Sequence, residues 1–583
     1  MNRKQRRAAL KHGRPAGSIG SDSAGDQGNE LLVEALEHER HRRLDEAIRA
    51  YKRALQLKPD HAEVCNNLGR VLLTQGKHKD ASVYFARSLA LMPQLLKQYA
   101  GIRATLIALS PTLAGAMQKQ AATWPRQLSE DELFGEAGLG AIADNALLLH
   151  VLQSIPVQDI AFERLLTALR RSLLTDALAG NKFADAVRGF ACALARQCFI
   201  NEYVFATSQD EDAKVARLNR AVHDALVSAT SFDPTQLAVL AMYEPLHVLA
   251  FAPILLDRTW MPAVDDLLTQ QLREPMREIE LRDSIPRLTV VEDDVSLRVQ
   301  QQYEENPYPR WIHAAGQVTP LPIEQYLRDQ FPGHPFVPID KTDAFDVLIA
   351  GCGTGEIAIA SVQKYLGARA LAVDLSLSSL SFAKRSTPAA LASRIEYAQA
   401  DILKLATIGR SFDVIDCSGV LHHMADPQEG WRTLLTVLRP CGFMHLGFYS
   451  EAGRRDVVAA RSFIAEQGYR PTPDDIRRCR QQLLETPLSG VTRFSDFFTM
   501  SECRDLLFHV QEARMTIPRI KAFIDEHHLT FLGFEFETPV LQQYRNHFAA
   551  SGWSMTDLTR WHEFETRYPD TFSGMYQFWI QKP

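Results

Sequence analysis

The pattern of apolar positions changes character along the chain and divides it. From residue 30 to residue 95 apolar and small residues recur at helical spacing, and the pattern repeats. Ala47, Tyr51, Ala54 and Pro59 return 34 residues later as Ala81, Phe85, Ser88 and Pro93. Positions 47, 51 and 54 fall at i, i+4 and i+7, so they share one helix face. Small residues there let a neighbouring helix approach, and each proline closes a unit. From 96 to 300, segments such as FERLLTALRRSLLTDAL and ADAVRGFACALARQCF read as packed amphipathic helices and carry no chemistry of their own. After Asp346, β-branched and aromatic runs alternate with helical stretches: DVLIAG, ALAVDL, IEYAQA, FDVIDCSG, FMHLGFY, LTFLGFEF and YQFWIQK. Strands interleaved with helices predict a parallel, doubly wound sheet. The last two runs, joined through roughly residues 537–575, predict an antiparallel closing pair.

The 34-residue helix–turn–helix period, with its small, aromatic, small and proline positions, resembles the tetratricopeptide repeat. In the second unit Leu68-Gly69 supplies the small position of the first helix, where the first unit has Glu34-Ala35. Two units are clear. About three are needed to bury a solenoid core, so these are expected to dock on the helical region C-terminal to them. The expected organisation is a disordered basic tail (1–29), the repeats (30–95), a helical domain (96–300) and an α/β domain (301–583) interrupted by a helical insertion at about 452–528.

Composition excludes several classes. Of the 583 residues 46% are hydrophobic and 23% charged, as in ordinary soluble domains. The net charge of −6 disfavours nucleic acid as a partner. Eight scattered cysteines form no CxxC pair, so neither a metal site nor a disulfide framework is signalled, and a reducing cytoplasm fits. The basic start, MNRKQRRAALKHGR, is followed by no apolar stretch, so a secretory signal is not expected. Leu237–Leu256 has the length of a membrane span, but Glu244, Pro245, His247 and Pro253 interrupt it. It reads as two buried helical pieces, and no membrane is expected.

The chemistry gathers after the first strand. DVLIAGCGTGEIAIA is a strand, a glycine-rich turn and a helix, and Gly351, Gly353 and Gly355 let the backbone approach a ligand. The dinucleotide fingerprint needs Gly or Ala where Glu356 stands, and no GK[ST] follows for a P-loop. Asp374 ends the second strand, placed to accept hydrogen bonds from both hydroxyls of a ribose. Asp401 ends the third, placed to orient an adenine amino group. The fourth runs into CSGVLHHMADP.

GCGTG, VDLS, ADI and VLHH-x-x-DP together resemble a class I S-adenosylmethionine-dependent methyltransferase, and closely the bacterial proteins that join tetratricopeptide repeats to such a domain. The resemblance is strong over 345–450. It implies a Rossmann-like seven-strand sheet with S-adenosyl-L-methionine as cofactor. Gly351, Cys352, Gly353 and Gly355 would line its methionine and ribose portions. Asp374 and Leu375 would hold the ribose, Asp401 with Ile402 the adenine, and Ser418, Gly419 and Val420 the space beneath the sulfonium.

No metal is needed for such a transfer. Where the acceptor must lose a proton, neutral His suits the task. His422 and His423 are the candidates by position, and being consecutive, only one can face the cleft; in related domains such histidines are often structural or pack on the cofactor. Tyr308 joins them through QYEENPYPRW (302–311), whose prolines stiffen a segment that would close over the pocket as a lid. In that lid Arg310 would grip a carboxylate or phosphate. His509 is a further candidate for a substrate role, and the run Arg477, Arg478, Arg480 reads as a solvated helix face. The function implied is methyl transfer to an unidentified acceptor, a protein or a small molecule, with a protein or peptide partner recruited through the repeats. The alternative is a repeat scaffold whose cofactor-binding domain does not turn over.

Overall fold

The computed structural model describes residues 22–97, 99–228, 230–314, 316, 318–339, 344–536, 538–549, 552 and 554–583. Two compact units result: one runs to Leu113 and includes Asn145–His150, the other holds Ala114–Asp144 and Val151–Pro583. The tail expected over 1–29 falls outside the described residues up to residue 21, and a helix starts at Asp22, inside the stretch read as disordered.

In the first unit, Leu44–Leu57, Ala62–Thr74 and His78–Leu91 are helices, breaking where Pro59 and the Gly76 turn stand. Ala47, Tyr51, Ala54, Ala81 and Ser88 are all buried, as the repeat requires. A Cβ added at Gly69 would stand 3.2 Å from the Phe85 ring, which explains why the position is small. The helix Asp22–Arg40 carries Glu34-Ala35 as the first helix of the first repeat, and its Glu39 accepts from Tyr51 (3.0 Å) and pairs with Arg70.

The second unit carries a seven-stranded sheet: β1 (Phe345–Ala350), β2 (Ala368–Asp374), β3 (Ile395–Gln399), β4 (Phe412–Ser418), β5 (Leu438–Phe448), β6 (Thr530–Phe534) and β7 (Tyr576–Gln581). The order is β3-β2-β1-β4-β5-β7-β6; β1 to β5 run parallel, and β7 pairs antiparallel with both β5 and β6. One face buries Trp431, Phe523 and Phe578, the other Leu327, Ile359 and Trp579. With both faces covered, the strands read as near-continuous apolar runs. Leu237–Leu256 divides into short helices, with Glu244 accepting from Asn219 (2.8 Å). Among the described residues no single helix is long and apolar enough to cross a membrane, although Ala100–Leu109 and Pro111–Thr123, bent by 109°, reach that test together.

The insertion after β5 locks onto the helical region, and here the basic run is not a solvated face. Arg480, 1% exposed, forks onto both oxygens of Glu163 (3.0 and 2.8 Å) and donates to the carbonyls of Phe497 and Val204. Arg477 donates to the Tyr203 carbonyl (2.8 Å), and only Arg478 stays on the surface. Asn201-Glu202-Tyr203 is the matching surface. Met500 N–H donates to the Asn201 carbonyl and Ser501 N–H to Glu202 (2.7 Å).

Candidate active site

The glycine-rich turn follows from β1 being buried on both faces: the chain must reverse at its end without lifting off the sheet. Gly353 has φ +50°, and a Cβ there would meet the Tyr308 carbonyl oxygen at 2.5 Å. Gly355, with φ +87°, is crowded instead by Ala383 of the next helix, at 2.6 Å. Gly353 therefore admits the lid, and Gly355 admits helix-to-helix packing.

Asp374 pins this turn. One carboxylate oxygen accepts from Gly353 N–H (2.8 Å) and the other from Ser376 N–H (2.9 Å), leaving each with acceptor capacity. Burial raises its carboxyl above the usual range, and the Ser376 and Gly353 N–H groups pull the other way.

The helix Asp294–Glu305 and the segment after it form the cover. Asp293 caps the helix on Val295 and Ser296 N–H. Gln300 donates to the Leu375 carbonyl (3.0 Å), and Glu304 accepts from Leu377 N–H and the Ser378 hydroxyl, each at 2.6 Å. Beyond it, Thr354 donates to the Pro309 carbonyl and accepts from Trp311 Nε1 (3.1 Å). QYEENPYPRW thus lies across the glycine turn. Arg310 is drawn away, 3.8 Å from Glu202 and over the Phe199 ring.

Between cover and sheet is a cavity of about 330 Å³, lined on the sheet side by Gly351, Cys352, Gly353, Asp374, Leu375, Ser418 and Gly419. Tyr303, Tyr308, His423 and Tyr449 line another part, and Met575 and Gln577 enter from the antiparallel strand side. Gly355, Asp401, Ile402 and His422 stand behind this wall. Asp401 caps the following turn through Leu403 N–H (2.9 Å), with its neighbours Ala400 and Leu403 in the wall, and Ile402 is buried in the core.

The histidines separate as consecutive residues must. His422 stacks on Tyr449 at 3.8 Å, and the Arg454 guanidinium lies 3.7 Å from that same ring. His423 places Nδ1 3.0 Å from the Gln511 carbonyl, which makes Nδ1 the donor and leaves Nε2 with its lone pair. Burial lowers the basicity of both, most strongly His422, so both rings are neutral at pH 7.

The cavity suits a nucleoside carrying a short amino-acid arm. Paired carboxylate oxygens suit hydroxyls at one end, the glycine turn brings bare backbone close, and Met575 gives a soft sulfur contact near Gly419. Sequence reasoning missed Asp293, Ser296, Met575 and Gln577. Their only signal was position, just ahead of the lid motif and in the last apolar run.

Residues 348–446 match the family described as methyltransferase domain, and residues 40–106 match a tetratricopeptide repeat family. The chain is 31% identical over 199 residues to an uncharacterized protein of Synechococcus sp., covering 32% of this chain and 48% of that one. It is 28% identical over 151 residues to a ubiquinone biosynthesis O-methyltransferase of Albidiferax ferrireducens, covering 26% and 58%. The chain thus spans about half the length of the curated relatives it matches. Among solved structures, PKMT2 from Rickettsia typhi in complex with AdoHcy aligns with a TM-score of 0.35 and 16% identity, over 44% of this chain and 52% of that one.

Proposed function

From a chain that joins tetratricopeptide repeats to a class I methyltransferase domain, we propose an S-adenosylmethionine-dependent methyltransferase that acts on a protein or peptide brought by the repeats. The observation that carries this reading is the single cavity wall shared by Asp374, the glycine turn and His423. The cofactor supplies a methyl group on a sulfonium, and a neutral thioether leaves when the methyl is transferred. Asp374 holds the ribose hydroxyls and fixes the turn through Gly353 N–H. Gly351 and Gly353 lie against the ligand backbone, and Ser418 and Gly419 border the reacting end. The lid excludes water and orients the two reactants. His423 Nε2 takes the proton that the acceptor nucleophile sheds. Tyr308 lines the acceptor side.

Replacing Asp374 by Ala removes a charged acceptor and frees the turn it pins. S-adenosylhomocysteine binding is expected to weaken by about 1–3 kcal/mol, roughly 5- to 150-fold, in a calorimetric titration. Asp374→Asn, which still accepts from Gly353 N–H, is expected to lose less.

The reading as a whole is tested with tritium-labelled S-adenosylmethionine and bacterial cell extract. Label is expected to enter protein with the full chain, and to fall at least tenfold when residues 1–95 are deleted. Undiminished labelling by the deletion variant would remove recruitment through the repeats. No labelling of any fraction would remove the transferase.

A further inference from the structure

The insertion brings a second group of titratable residues to the back of His423. The His509 ring stacks on His423 with centroids 3.7 Å apart and planes 21° from parallel. The Tyr303 hydroxyl donates to Asp505 Oδ1 at 2.6 Å and lies 3.2 Å from His509 Nε2. A ring nitrogen of each histidine and a carboxylate oxygen of Asp505 all lie within 4.8 Å of one another. Asp505 and His509 are both 2% exposed.

Hydrogen bonding fixes every proton in this group. The Gln511 peptide sets both rings: its N–H donates to His509 Nδ1 (3.0 Å), and its carbonyl accepts from His423 Nδ1 (3.0 Å). The neutral His509 proton is therefore on Nε2, which donates to the Tyr303 oxygen, which in turn donates to Asp505. A metal ion does not suit the same atoms. Stacked rings aim their lone pairs side by side rather than at one point, and the Tyr303 hydroxyl already occupies His509 Nε2 and Asp505.

We propose that Asp505 is a positioning residue for His423: a fixed buried carboxylate, held in place by Tyr303, that stabilises the imidazolium formed when His423 takes the acceptor's proton. The inference rests on the cavity being the cofactor site and on His423 being the base. Charge that appears on a buried ring needs a counter-charge already oriented. The groups around His423 are mixed. Asp505 and Glu512 favour its cationic form, while Arg454 and the neighbouring rings of His422 and His509 oppose it. Glu512 is already committed to Arg454 at 2.6 Å, with Arg461 3.8 Å away, whereas among the described residues Asp505 is in ion-pair contact with no Lys or Arg and feels Arg454 and Arg461 only at longer range. Arg504, on the same helix, is engaged instead by Glu305 (2.7 Å) and Asn306.

The experiment needs no acceptor, because the two forms of the cofactor differ by one positive charge. Affinities of S-adenosylmethionine and S-adenosylhomocysteine are measured calorimetrically between pH 4.5 and 8.5, in EDTA. A protonated His423 repels the sulfonium and spares the neutral thioether. The ratio of affinities is therefore expected to fall with pH in the unmodified protein and to stay level in His423→Gln. Asp505→Asn keeps an acceptor for the Tyr303 hydroxyl but loses the charge. It is expected to move the fall about one pH unit or more to lower pH, while S-adenosylhomocysteine affinity at pH 8 is retained. Asp505→Ser serves if the Asn variant does not retain that affinity. A fall that stays in place without the Asp505 charge would make the residue merely structural. A fall that persists in His423→Gln would equally overturn the proposal. Failure of the unmodified protein to bind either compound would instead refute the assignment of the cavity.

Discussion

Arg480→Met is expected to lower the stability of the second unit by about 3–5 kcal/mol, the cost of leaving one partner of a buried ion pair uncompensated. Glu163 is 4% exposed and gives both its oxygens to Arg480, so the substitution would leave its side chain without that partner in a buried seam. Two further carbonyls, of Phe497 and Val204, lose their donor with the same substitution. Urea unfolding followed by circular dichroism measures the loss. The double variant Arg480→Met/Glu163→Leu is expected to recover most of it, since a well-packed apolar pair often equals a buried ion pair. An unchanged midpoint in the single variant would mean that the insertion does not dock as described. The pair docks onto the helical region the same insertion that carries Asp505 and His509.

His423→Gln is expected to reduce methyl transfer by roughly 10²- to 10⁴-fold, the usual contribution of a positioned general base, with cofactor affinity at pH 8 changed little. His422→Gln is expected to act on stability, because its ring fills the space over Tyr449 and is absent from the cavity wall. Initial rates with labelled cofactor, beside thermal unfolding of both variants, separate the two roles. Equal rate losses for the two variants would remove the distinction between the neighbouring rings.

Much of the fold is legible in the chain because its signals are local. A strand buried on both faces must be an apolar run, a turn that admits another backbone must be glycine, and a tight helix pair must place a small residue such as Gly69 against Phe85. The cavity wall from Gly351 to Gly419 follows from the same local grammar. What is not local is not legible. Arg480 reads as one of three exposed arginines because its partner, Glu163, lies 317 residues away. The i, i+4 spacing of Asp505 and His509 is visible, but its meaning depends on Gln511 threading past His423. The choice between His422 and His423 has the same origin: one carbonyl, 88 residues downstream, decides which ring presents a free nitrogen to the cavity.

Methyl transfer by this chain requires that the cavity beside Asp374 take a methyl donor. The most direct measurement is therefore calorimetric titration of S-adenosylmethionine and S-adenosylhomocysteine into the purified full chain at pH 8, with NAD as control. The expected result is one site per chain with micromolar affinity for the first two compounds and none for NAD. Binding of NAD, or heat of binding from none of the three, would contradict the assignment of this cavity to a methyl donor.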